Sequence, residues 1–492
     1  MQKVWATSVA VVIVLFFVSA GAQNSRAALD AAAHAMGASD LNSIQYAGTG
    51  SAFGFGQAYT PGGAWPRFNA QLTVAINYQT PALRQELVRT QAEKPPRGGA
   101  AQPFAVEQRA VQVVSGRYAW AEAGTSANPQ LGAVSDRLRQ LWITPHGLIK
   151  AALTNGAQVT TEKNGVKSFS LKVEGQDVKV TLNNQNLVQR VEYMIDNPVT
   201  GDTPVETTYS QYADYGGVKF PTHIVEKQDG FPTLDITVRD VKPNAAVSLE
   251  PPANVRQAPP PPPTPPAPAV QTQQLADGVW YLMSNYNSTA VEFKDFIVVF
   301  EGANNEARSI AVNNEVRKLV PGKPIKYLIN SHHHFDHSGG LRAYAADGVT
   351  IITHEVNRPY YEKVWARPHT LNPDLLAKSP RKAVLETMTE KKVLTDGTRT
   401  MDLYHLQGSG HASGLIMAYL PKERILIYAD QYNPPAGNDP RDPNTTAEYR
   451  QNLYDNIQRL TLDPVQMASV HGRVVPLDNL KKALGLIPAT SQ

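Results

Sequence analysis

Residues 331–340 read Ser-His-His-His-Phe-Asp-His-Ser-Gly-Gly. Four histidines and one aspartate fall within 332–337, and nine of the chain's 12 histidines lie between His332 and His471. Neutral imidazole and carboxylate are the ordinary ligands of zinc in a protein without thiolates, and this chain has 0 cysteines. His332 and His334 are two residues apart, so an extended backbone sends both side chains to the same side, where they can share a metal. Asp336 and His337 follow at once, and a turn there aims them at a neighbouring position. Ser338-Gly339-Gly340 lets the chain turn tightly into a following helix.

Candidate partners lie downstream: Gly408-Ser409-Gly410-His411, then Asp430, then His471-Gly472. Each comes just after an apolar run that reads as a strand, the position at which α/β folds gather their chemistry. The strands predicted around them are 279–282, 288–293, 296–300, 325–329, 349–353, 401–406, 415–420, 425–428 and 466–470. Helices are predicted at 305–320, 355–366 and 446–460, from apolar spacing such as Val312, Val316, Leu319 and Val320. His333 is read as exposed beside the cluster, and His354, His369 and His405 as non-ligands. The stretch 360–392 is expected to line the pocket, and Arg473 to meet an anion.

The first half has a different rhythm. Leu72, Val74, Ile76 and Tyr78 alternate, as do Phe169, Leu171 and Val173, then Val178, Val180 and Leu182, then Val191, Tyr193 and Ile195; Leu234, Ile236 and Val238 close the series. Period-two alternation across turn residues predicts an antiparallel sheet with one buried face. Residues 23–250 are read as a mainly antiparallel β domain covered by one or two helices, the first of them at 26–36. Its histidines, His34, His146 and His223, are scattered and read as packing or surface residues. Residues 212–221 resemble the strand-turn-strand of periplasmic lipoprotein-carrier folds, which are curved half-barrels. That resemblance implies room for an apolar ligand.

Residues 251–271 are predicted to be a linker: 251–268 carry ten prolines, a run that favours an extended semi-rigid spacer. Residues 272–492 form the second, α/β domain. At the start, Lys3, the apolar run 9–18 and Ala20-Gly21-Ala22 read as a signal peptide over residues 1–22, with an uncleaved anchor as the alternative. The expectation is a periplasmic or secreted protein with no stable membrane insertion after cleavage. Net charge is +3 with no basic stripe among aromatics, so nucleic acid is excluded as the expected partner in favour of a small-molecule substrate.

The order H-x-H-x-D-H, G-x-G-H, an aspartate after an apolar strand, and H-G resembles the metallo-β-lactamase superfamily over residues 272–475. The resemblance implies an αββα sandwich with a metal site at one edge between two sheets. It implies that His332, His334 and His411 bind one metal, that Asp336, His337 and His471 bind a second, and that Asp430 bridges them. Two zinc ions are the expected cofactor, with iron or manganese as alternatives.

A bound divalent metal lowers the pKa of water from about 15.7 to about 7, which supplies hydroxide at neutral pH. Asp336 or Asp430 is the candidate to orient that nucleophile and pass a proton to the leaving group. The function expected is hydrolysis of an ester, thioester, lactone or amide. A β-lactamase is the alternative within the class. Outside it stand a lipid carrier with a vestigial metal domain and an iron-dependent redox enzyme.

Overall fold

A computed structural model describes residues 20–100, 102, 104, 106–262, 266–437 and 446–488. The apolar run of the expected signal peptide lies outside the described residues. Among them, no helix is long and apolar enough to cross a membrane.

The N-terminal part is one 13-stranded sheet that starts at Ser43–Phe53 and ends at Phe231–Pro243. Neighbours in sequence are neighbours in space except Ser126–Pro129 and Val159–Thr161, which form the two edges, and the sheet is joined in its middle by antiparallel pairing of the first and last strands, with Ile44 opposite Pro243 and Gly50 opposite Ile236. The alternation seen in the sequence is real burial: Leu72, Val74, Ile76, Val178, Val180, Val191, Ile236 and Val238 all enter one core. The sheet extends beyond the alternating stretches on both sides, to Ser43 and Pro243, and strands within that range such as Ala82–Gln91 join it without a clean alternation. Three helices cover it. Ala20–Met36 was anticipated from position 26 onward, whereas Val134–Trp142 and Pro145–Asn155 were not. The pair of strands Gly201–Asp214 and Lys219–Gln228 forms around the expected turn.

Within the linker, a short helical turn, Ala253–Arg256, buries Val255 against Val111, Val113 and Trp120. The C-terminal domain has the expected αββα layering. Its first sheet runs Gln271–Ala276, Val279–Met283, Ser288–Glu292, Ile297–Phe300, Ile325–Ile329, Thr350–His354 and Val384–Met388, antiparallel up to Ile297–Phe300 and parallel beyond. The second runs Lys391–Thr395, Thr400–His405, Ile416–Leu420, Ile425–Tyr428 and Gln466–Ser469, with only the last pair parallel.

Val298, Phe300, Ile329 and Ile352 of the first sheet meet Leu403, Ile416, Ala418 and Ile427 of the second in the central core. Helices Glu306–Leu319, Leu341–Ala346 and Arg358–Trp365 pack outside the first sheet, and Ala447–Arg459 and Leu477–Ala483 outside the second. Asn305 caps the first of these, accepting from Arg308 N at 3.0 Å.

The stretch 360–392 differs from its expectation. It supplies the end of a helix, a loop and the edge strand Val384–Met388; Tyr360 and Tyr361 pack behind the histidine stretch, while the loop after them faces the N-terminal sheet, and none of the stretch lines the cavity over the cluster. Asp202 accepts from the Thr370 and Leu371 amides at 2.9 and 3.1 Å, and Arg367 pairs with Asp229 at 2.7 Å.

Candidate metal centre

Strand Ile325–Ile329 delivers the histidine stretch to the edge between the two sheets. Asn330 sits wholly buried beneath it and donates to the carbonyls of His332 at 2.7 Å and His337 at 3.2 Å, while accepting from Tyr361 Oη at 2.7 Å. The Ile416 amide donates to Ser331 O at 2.8 Å, which ties the stretch to the second sheet. Phe335–Ser338 forms a single helical turn, so Asp336 and His337 leave in directions different from His332 and His334. His411 follows Thr400–His405, Asp430 follows Ile425–Tyr428, and His471 follows Gln466–Ser469. The His471 loop is held where Asn287 Nδ2 and Tyr281 Oη donate to Gly472 O at 2.7 and 2.8 Å.

All seven sequence-selected side chains come together. Ligand atoms of His332, His334 and His411 lie within 4.8 Å of one another, as do those of His332, His337 and Asp430, and those of Asp336, His337 and His471. Asp430 lies at the middle: its Oδ2 is 3.0 Å from His337 Nε2 and 3.4 Å from both His332 Nε2 and His411 Nε2, and its Oδ1 is 2.7 Å from His471 Nε2. Asp336 Oδ2 is 3.4 Å from His337 Nε2.

The donor set fits a cation. Asp430 Oδ2 is buried and makes no directed hydrogen bond despite three imidazole nitrogens around it. Imidazole nitrogens converge in the same way: His332 Nε2 is 2.9 Å from His334 Nδ1 and 3.2 Å from His411 Nε2, and His337 Nε2 is 2.9 Å from His471 Nε2.

The far side of each ring explains which nitrogen is bare. His334 Nε2 faces Ala58 O at 2.9 Å; a carbonyl only accepts, so that nitrogen carries the proton and Nδ1 is free. His337 Nδ1 faces Glu301 Oε2 at 2.9 Å, which frees Nε2. Ser331 Oγ donates to Glu301 Oε2 at 2.5 Å and therefore accepts from His332 Nδ1 at 2.9 Å, again freeing Nε2. Lone pairs from three rings of this one stretch thus point inward, each fixed by an outer partner.

Electrostatics separate the histidines. Burial, reinforced by neighbouring imidazoles, holds His332 and His334 well below the ordinary value. Burial also acts downward on His337, but Asp430, Asp336 and Glu301 outweigh it and raise that group. Asp336 and Asp430 are lowered, since the facing histidines overcome the effect of burial.

His333 is only 2% exposed, which corrects its reading as an exposed neighbour. Its ring packs against His334 and Tyr360, with centroids 5.0 and 6.2 Å away, and burial brings its pKa down to about 3. His354 and His405 pair with each other at a 4.4 Å centroid distance, and His369 lies 3.7 Å from Asp374.

Sequence reasoning missed Glu301, which is wholly buried, and the whole contribution of the N-terminal part. Gln57 Nε2 donates to Asp336 Oδ1 at 2.8 Å while its Oε1 accepts from the Ala100 amide at 2.9 Å. The Phe335 amide donates to Gly56 O at 3.2 Å, and Gly98 N donates to Gly410 O at 2.9 Å. Two loops of the β part therefore sit directly on the cluster. Gly56 has φ +67°, and a Cβ there would stand 2.3 Å from Phe335 Cγ; one on Gly99 would stand 2.9 Å from His334 Cε1. A cavity of about 970 Å³ remains above Asp336, His411, Asp430 and His471, walled by Phe53, Phe55 and Arg89 on one side and by Arg473 on the other.

Residues 284–439 match the family model described as "Metallo-beta-lactamase superfamily", so the C-terminal half carries a domain of that superfamily. The match takes in six of the seven cluster residues; His471 lies beyond it.

Among solved structures, a metallo-β-lactamase from Pontibacter korlensis is similar at 17% identity over 44% of this chain and 98% of that one, with a TM-score of 0.34. The FIM-1 metallo-β-lactamase from Pseudomonas aeruginosa is similar at 17% identity over 45% and 96%, with a TM-score of 0.35. The sec-alkylsulfatase Pisa1 from Pseudomonas sp. is similar at 15% identity over 44% of this chain and 40% of that one, with a TM-score of 0.33. Comparison with curated proteins returns no match.

Proposed function

We propose that the chain is an exported metal-dependent hydrolase that holds two zinc ions and cleaves an ester, thioester, lactone or amide of a small molecule. The observation that carries this reading is the convergence of seven His and Asp donors, with the inward nitrogens of His332, His334 and His337 fixed from behind by Ser331, Ala58 and Glu301. His332, His334 and His411 would hold one ion, Asp336, His337 and His471 the other, and Asp430 lies between the groups. Bound zinc supplies Lewis acidity and activates water at neutral pH. The chain's own work is positional. Asp336, fixed by Gln57, and Asp430 accept and hand on the proton released in attack, and the cavity wall orients the scissile bond over the cluster. A carrier with a vestigial metal domain is disfavoured by this reading because the donor set is whole.

The test is elemental analysis of the purified chain with a hydrolysis panel of β-lactams, lactones, thioesters and aryl esters. Two zinc per chain and turnover of one class are expected. In His332→Ala, zinc should fall towards one per chain and turnover by at least 100-fold. Less than one zinc after reconstitution would sink the dinuclear reading. Turnover of β-lactams alone would make the protein a β-lactamase, and a visible absorption band with iron content would make it a redox enzyme.

A further inference from the structure

Arg89, on strand Ala82–Gln91, is a wall residue of the metal-site cavity, and it is contributed by the N-terminal sheet. Its guanidinium carbon stands 5.5 Å from the ring centroids of both Phe68 and Phe104, which stack on each other at 4.7 Å and 20°. Burial lowers its pKa from the ordinary value. Among the described residues it makes no ion pair and no side-chain hydrogen bond. The contrast with nearby arginines is sharp: Arg84, on the same strand, pairs with Glu86 and Glu122 at 3.0 and 2.9 Å, and Arg109 pairs with Glu86 at 2.7 Å.

A half-buried guanidinium without a counter-charge is costly. Here the aromatic pair offsets part of that cost and fixes the plane of the fork. The remaining N–H groups are left for a ligand in the cavity, and a guanidinium edge matches an oxyanion with two parallel hydrogen bonds. The carboxylates on the cavity floor belong to the metal set, so they do not compete for it once cations are bound.

Building on the hydrolase reading, we propose that Arg89 is a specificity-determining residue that binds an oxyanionic group, carboxylate or phosphate, carried by the substrate away from the scissile bond. The N-terminal sheet is then a working wall of the active site, and the substrate class is an anionic ester, thioester, lactone or amide. The cluster residues would hold the metals that polarise the reacting carbonyl, Arg89 takes the distant anion, and Phe53 and Phe55, which line the same cavity, meet the apolar part.

Two measurements test this. In the zinc-loaded chain, kcat/KM is compared for 4-nitrophenyl hemisuccinate and 4-nitrophenyl acetate, which differ by a carboxylate. The preference for the hemisuccinate should fall at least tenfold in Arg89→Gln and by less in Arg89→Lys, mainly through KM. A preference unchanged within twofold in both variants overturns the proposal. In the metal-free chain, benzoate and inorganic phosphate are titrated calorimetrically. Binding of either that is lost in Arg89→Gln supports an anion site independent of the metals. Binding of neither, or equal binding in variant and wild type, overturns it. Should no ester be turned over at any zinc loading, the hydrolase reading fails while the metal-free titration still decides the role of Arg89.

Discussion

Each imidazole in the centre has two nitrogens, and for His332, His334 and His337 the structure assigns them by what lies behind the ring. Glu301 has the widest reach of these outer partners. One carboxylate oxygen takes the His337 Nδ1 proton at 2.9 Å and the Ser331 hydroxyl at 2.5 Å, and through Ser331 it also governs His332. It therefore sets a ring in each of the two proposed metal groups. Glu301→Gln would present either an amide oxygen without charge or an N–H that clashes with both donors. The expected outcome is a fall in zinc affinity of about 10–100-fold, as for other outer partners of metal ligands. Competition against a chromophoric chelator measures it, and unchanged far-UV circular dichroism would show that the fold is kept. An affinity within threefold of wild type would remove Glu301 from this role.

Most of the C-terminal half could be read from its elements. Runs such as Ile297–Phe300 and Ile425–Tyr428 are buried on both faces, so they stand out as short apolar blocks, and Asp430 comes just after the second. Glu301 was missed because a charged residue after an apolar strand ordinarily marks the return to solvent, whereas here it is wholly buried. The loop containing Gly56 was missed for another reason. Its hydrogen bonds with the centre run through backbone groups and one amide side chain, across 276 residues for Ala58 and His334 and 279 for Gln57 and Asp336, and neither composition nor periodicity encodes them.

The seating of that loop depends on Gly56 lacking a side chain. Gly56→Ala would add a Cβ 2.3 Å from Phe335 Cγ in a φ +67° conformation that L residues rarely adopt. Because the loop packs on the centre rather than within the core of the β sheet, the cost should appear as its release rather than as global unfolding. Zinc dissociation into excess chelator is expected to quicken about tenfold, with the thermal midpoint shifted by only a few degrees. A stopped-flow chelator trace and a melting curve of the same sample separate the two effects. A lower midpoint with unchanged zinc release would show that the loop does not guard the centre.

At the scale of the molecule, two halves built on different rules share one site. The β half is held by its own core, in which His146 has an unusual place. It is wholly buried in helix Pro145–Asn155, its Nε2 donates to Met36 O at 3.1 Å at the end of the first helix, and its ring lies parallel to Phe220 at 5.9 Å. Burial brings its pKa from 6.5 down to about 4. Between those values the unfolded chain binds a proton that the folded chain refuses. The stabilisation from a neutral His146 is therefore complete above pH 6.5 and is lost as pH falls towards 4, by up to about 3 kcal/mol. His146→Gln keeps a donor for Met36 O but has no titrating group. Urea midpoints of the metal-free chain, taken in steps from pH 7 to pH 4, should fall less steeply in the variant than in wild type. Metal-free protein is required, since ligand histidines would otherwise add their own proton linkage through zinc release. Because the loops seated on the cluster belong to this half, its loosening in acid should also raise the accessibility of the cluster, read at each pH below 6 as faster modification of its histidines by diethyl pyrocarbonate in wild type than in His146→Gln. Parallel urea profiles for the two proteins would mean that another buried group carries the acid sensitivity of the β half.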